Sequence, residues 1–114
     1  METPDCWQII KITSKDKEVL YKVMAGWGGD YLHGPSWRLN SGITRIEKKD
    51  DTYLVHGASG SIYSCRKDLD GLNGYTSGVL DGLIYKLVDI GATVKLVSIK
   101  EAIKELKKCQ TEVP

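Results

Sequence analysis

The side chains in this sequence that could do chemistry are few and scattered. Asp30 and His33, with Tyr31 between them, have the types needed for an acid–base pair in which a carboxylate orients an imidazole. The only other histidine is His56, and neither ring has a partner at a spacing diagnostic of a catalytic set. Cys6, Cys65 and Cys109 lie far apart, and no C-x-x-C or H-x-x-x-H pair brings thiolates and imidazoles together locally. No metal site is therefore expected. An odd number of dispersed cysteines also fits free thiols better than the dense, even set of a small secreted scaffold.

Three further stretches resemble working motifs and depart from them at decisive positions. Gly57-Ala58-Ser59-Gly60-Ser61 begins like the G-x-S-x-G turn that exposes a hydrolase serine, but Ser61 replaces the final glycine and the pattern falls between two strands. Gly26-Trp27-Gly28-Gly29-Asp30-Tyr31 lacks the third glycine of a dinucleotide loop, and no helix pattern follows it. Asp68-Leu69-Asp70-Gly71 opens like a calcium loop, yet the fifth position is Leu72 and the twelfth is Val79, where a bidentate Glu is needed. No cofactor is expected.

The lysines at 100, 104, 107 and 108 form a row that could neutralise phosphates, but Glu101 and Glu105 interrupt it and a helix C-terminus favours lysine in any case. Sixteen basic against fifteen acidic side chains leave a net charge of +1, without the strong field that gathers nucleic acid. Nucleic acid is thus a weaker expectation than a protein partner.

The segment best suited to recognition is 26–42, which holds Trp27, Asp30, Tyr31, His33, Trp37, Arg38 and Asn40 together with five of the twelve glycines. A connection of this length without structure is uncommon in a compact domain and is often functional. Trp, Tyr and Arg are the residue types that dominate interface energetics. The competing account is that Trp27 and Trp37 fold back as core residues and glycine merely lets the chain turn. Alternation along an extended chain sends residues 37 and 38 to opposite faces, so both are not expected to be core.

The elements that must position this segment follow from periodicity. Residues 7–13 and 18–25 are rich in Ile, Val and Tyr and are separated by the polar run 14–17, as in a hairpin. Residues 43–48, 52–57 and 62–66 read as a three-strand meander, with Gly42 placed to bulge its first strand. The period then changes: Val79, Leu80, Leu83, Ile84, Leu87 and Val88 recur at helical spacing, with Gly91 as the C-terminal cap and Asn73 or Thr76 as the N-terminal one. Residues 93–97 form a strand, and Ser98 with Glu101 matches a capping box that opens a last helix.

The expectation is a single α+β domain over 1–114, with a mainly antiparallel sheet of about six strands in the order β-β-β-β-β-α-β-α. Both helices are expected on one face. A hydrophobic content of 41% with 27% charge is ordinary for a globular chain. No apolar run approaches the roughly 20 residues of a membrane span, and residues 1–6 lack the basic and apolar regions of a signal peptide, so a cytoplasmic protein is expected. The function that fits is non-enzymatic binding by surface occlusion, as in a small immunity-type or viral inhibitor of a larger macromolecule. The alternatives are a small-molecule binder with the aromatic loop as a lid, and a small enzyme using His33 or His56.

Overall fold

The computed structural model describes the backbone of residues 1–29 and 32–111 and the side chains of these residues except 108–111. It contains β1 (Cys6–Thr13), β2 (Val19–Trp27), β3 (Ser36–Leu39), β4 (Ile43–Lys49), β5 (Thr52–Gly57), β6 (Ile62–Arg66), α1 (Gly74–Asp89), β7 (Thr93–Val97) and α2 (Ile99–Thr111). The class is α+β with antiparallel sheets. The strands number seven where about six were expected, and they form two sheets, β3-β2-β1-β7 and β4-β5-β6.

The period-2 alternation of β1 explains the layering. Trp7 and Ile9 point to one face and, with Val23 and Ala25 of β2, pack against Tyr53 and Val55 of β5 and Tyr63 and Cys65 of β6. Ile99 and Ala102 of α2 close the same core. Ile10 and Met24 point to the other face, where Leu80 of α1 meets them with Val79, Leu83 and Ile84 alongside. The helices therefore cover opposite faces of the four-stranded sheet, not one shared face. Both faces of β1 are apolar, and each needs its own cover.

The turn chemistry anticipated from sequence closes these elements. Asn73 and Thr76 form a reciprocal capping box at the start of α1. Gly91, at φ +81, ends that helix, and the Ala92 N–H reaches back to the Leu87 carbonyl at 3.0 Å. The Glu101 N–H bonds the Ser98 hydroxyl at the start of α2. In β4 the register slips between Ile43 and Arg45, one step past Gly42, whose own φ of +136 only glycine adopts easily.

Candidate functional site

The segment 26–42 is not a structureless connection. β2 continues to Trp27, the chain turns, and β3 returns antiparallel to it with Gly26 opposite Trp37 and Ala25 opposite Arg38. Between the two strands, the described residues 28–29 and 32–35 lie outside any strand or helix. Gly29 holds the turn shut: at φ +77, a β-carbon there would lie 2.2 Å from the His33 carbonyl oxygen. Asp30 and Tyr31, both named as candidates, lie outside the described residues.

The remaining candidates divide into anchors and exposed groups. Trp27 is half-buried, packs against the aromatic core and donates its indole N–H to the Thr3 carbonyl at 3.1 Å. Asn40 is buried at 3% exposure, and its Oδ1 accepts the Val23 N–H at 2.8 Å while the Asn40 N–H donates to the Val23 carbonyl. It continues the β2 pairing for one residue beyond β3, which is a structural task. Its Nδ2 is buried without a hydrogen-bond partner.

Trp37, Arg38 and His33 are exposed. Trp37 keeps 39% of its surface, on the face of the sheet that α1 covers elsewhere. Arg38 projects to the opposite face, as alternation requires, and bonds Glu2 Oε1 at 3.1 Å while remaining 61% exposed. It also bonds the Tyr63 hydroxyl, whose pKa is nonetheless raised, because burial outweighs the nearby guanidinium. β3 is an edge strand: among the described residues no strand pairs with its outer side. An exposed indole and a guanidinium thus flank an open row of backbone donors and acceptors.

His56 is placed against a carboxylate. Its Nε2 lies 3.0 Å from Glu47 Oε1, which Arg45 also contacts at 2.6 Å. Glu47 is two pairs along from the Arg45–His56 rung, so the contact is diagonal and was hidden until the register was known. The pair lies on the outer face of β4 and β5, and His56 lines neither the groove between Arg45 and Leu106 nor the one between Leu20 and Ile43. Ser59, the serine of the incomplete hydrolase-like turn, bonds the hydroxyls of Ser41 and Ser61 at 3.1 Å each, with no imidazole in that chain of bonds.

The larger groove has a volume of about 280 Å³ and runs between Leu20 and Tyr21 of β2, Ile43 of β4 and Leu106 of α2, with Lys11 and Glu105 at its rim. That is close to the lower end, roughly 300 Å³, of small-molecule sites. Sequence reasoning missed it, because its lining is assembled from β1, β2, β4 and α2. Among the described residues no group of three or more His, Cys, Asp or Glu side chains is placed to hold a metal ion. No helix among them is long and apolar enough to cross a membrane. No family model matches the chain, and neither a curated protein nor a solved structure is similar to it.

Proposed function

We propose that this chain is a non-enzymatic, cytoplasmic binding protein that occludes a larger protein, and that it does so through the open edge of β3. One observation carries the reading: a short edge strand presents an exposed Trp on one face and an exposed Arg on the other. Strand addition supplies affinity through main-chain hydrogen bonds, and alternating side chains supply selectivity. Trp37 then packs over an apolar side chain of the added strand. Arg38, held by Glu2, reads an acidic or carbonyl group on the other side.

The test is a titration of the partner with Trp37→Ala and Arg38→Ala beside urea melts of both variants. Each should weaken binding by more than about 1 kcal/mol while leaving the fold intact. If Trp37→Ala instead costs about 3 kcal/mol or more of stability and leaves the affinity per folded molecule unchanged, β3 is a structural plug and not the site.

A second reading, a small-molecule binder, rests on the groove beside Lys11. In that case Leu20→Arg, which fills the groove, abolishes ligand binding and Trp37→Ala leaves it untouched.

A further inference from the structure

The exposed side of α1 carries features that nothing in the monomer explains. Gly78 and Gly82 sit in the helix interior, where glycine costs roughly 1 kcal/mol relative to alanine. A β-carbon added at either would meet nothing within 4 Å. Intramolecular packing therefore gives no reason to omit the side chain. Tyr75 and Tyr85 flank these glycines and are 41% and 76% exposed. On a helix of 3.6 residues per turn, Tyr75, Gly78, Gly82 and Tyr85 fall within an arc of roughly 80° centred opposite the buried Leu80. The stripe faces straight into solvent.

Its order along the helix is palindromic. Tyr75-x-x-Gly78-x-x-x-Gly82-x-x-Tyr85 reads the same in both directions about the position of Leu80. A partner of unrelated sequence has no need of such symmetry. A twofold contact does, because the same patch must complement itself when the helix direction is reversed.

Charge points to the same occupant. The first turn of α1 holds no acidic residue, so the positive end of its dipole is uncompensated. Asp89 ends the helix, on the same face as the two glycines, where a carboxylate opposes the dipole of its own helix. Reversing one helix against another about Leu80 brings each Asp89 beside the N-terminus of the other helix. Both defects are relieved at once.

We propose that α1 pairs antiparallel with α1 of a second copy of this chain, about a twofold axis at Leu80, with Gly78 and Gly82 as the points of closest approach. Tyr75 of each copy then packs beside Tyr85 of the other. Scaled by their exposure, the four rings supply roughly 400–500 Å² of buried area, against about 1,200 Å² for a stable interface. The dimer is accordingly weak and depends on concentration.

Sedimentation velocity on the chain from about 10 µM to about 1 mM should show a monomer passing into a dimer, in the millimolar-to-micromolar class of affinity. The double variant Gly78→Gln/Gly82→Gln should dimerise at least about tenfold more weakly, while its melting temperature, read on dilute protein, rises because glutamine favours helix. Opposite signs in the two measurements separate loss of an interface from loss of structure. Tyr85→Ser gives a second reading in a residue with little packing of its own, and should weaken the dimer without moving the melting temperature. Asp89→Asn should weaken it less, and more visibly at low salt. A chain that stays monomeric throughout that range overturns the proposal. So does a dimer that survives the glycine variant, which would lie on the open edge of β3 or β7 instead.

Discussion

One face of the four-stranded sheet meets a second sheet and α2 across Trp7, Tyr21, Tyr53 and Tyr63, whereas the other meets a single helix across Ile10, Met24 and Leu80. The first core is aromatic and drawn from all but two of the secondary-structure elements. Trp7 is held edge-on to Tyr53, with centroids 6.2 Å apart, and its indole N–H donates to the Arg66 carbonyl at 2.7 Å. The second is aliphatic and depends on one cap and one helix. The difference implies that the large core defines the fold, while α1 is the element that opens at least cost.

The largest test of that contrast is Trp7→Ala. Emptying this site and orphaning a carbonyl should cost about 3 to 5 kcal/mol, read from urea melts, and should loosen both sheets together. Leu80→Ala should cost about 2 to 3 kcal/mol, and hydrogen exchange should speed up in α1 well before it does in β1. Equal protection of α1 and β1 in the Leu80 variant would break the comparison, because the two faces would then be one cooperative unit.

Titration sharpens the same contrast. Burial in the large core pushes the Cys65 thiol up to about 12 from its usual 9, and raises the Tyr63 phenol as well. Both groups keep their protons in the folded state at pH values where the unfolded chain has released them. The stability they contribute is complete below about pH 9 and is lost as pH rises toward 12. Alkaline unfolding should thus begin in that window, and Cys65→Ala should move its onset upward. Peptide mapping after alkylation at pH 8 should find Cys65 unmodified in folded protein and modified in urea. Labelling of Cys65 at the same rate in both would mean the large core is not closed.

Much of this architecture was legible because it rests on local chemistry. Asn73, Gly91 and Ser98 announce helix ends by their own backbone preferences, and the meander from β4 to β6 follows from alternation plus the turns at 49–51 and 58–61. β3 was not legible. Four residues carry little periodicity, and Trp37 and Arg38 look like loop side chains until Gly26 and Ala25 are seen opposite them. The division into two sheets was also hidden, since alternation reveals which face a residue takes but not which strand lies beside it. Of the candidate site, the placement of Trp37 and Arg38 on opposite faces could be anticipated, but the exposure of both could not. The burial of Asn40 could not either, because its side-chain oxygen is fixed by the Val23 N–H, a partner distant in sequence.

The smallest expected effect lies at the N-terminus of α1, and it decides how far the second face depends on a single cap. The Asn73 side chain accepts the Thr76 N–H at 2.8 Å, and the Thr76 hydroxyl accepts the Asn73 N–H at 3.0 Å. Thr76 is fully buried, and its methyl group lies where Gly26 has no β-carbon, so the cap also fixes α1 on β2. Asn73→Ala removes the acceptor and should cost about 1 kcal/mol, against a few tenths for Asn73→Gly. Asn73→Asp keeps the acceptor and places a negative charge at an N-terminus that has no acidic residue in its first turn. It should therefore match or exceed the stability of the parent chain, with the gain shrinking in high salt. If Asn73→Ala costs as much as Leu80→Ala, the capping bond supports the seating of α1 on β2 as well as the helix itself. In that event the second face is held at its end and not along its length.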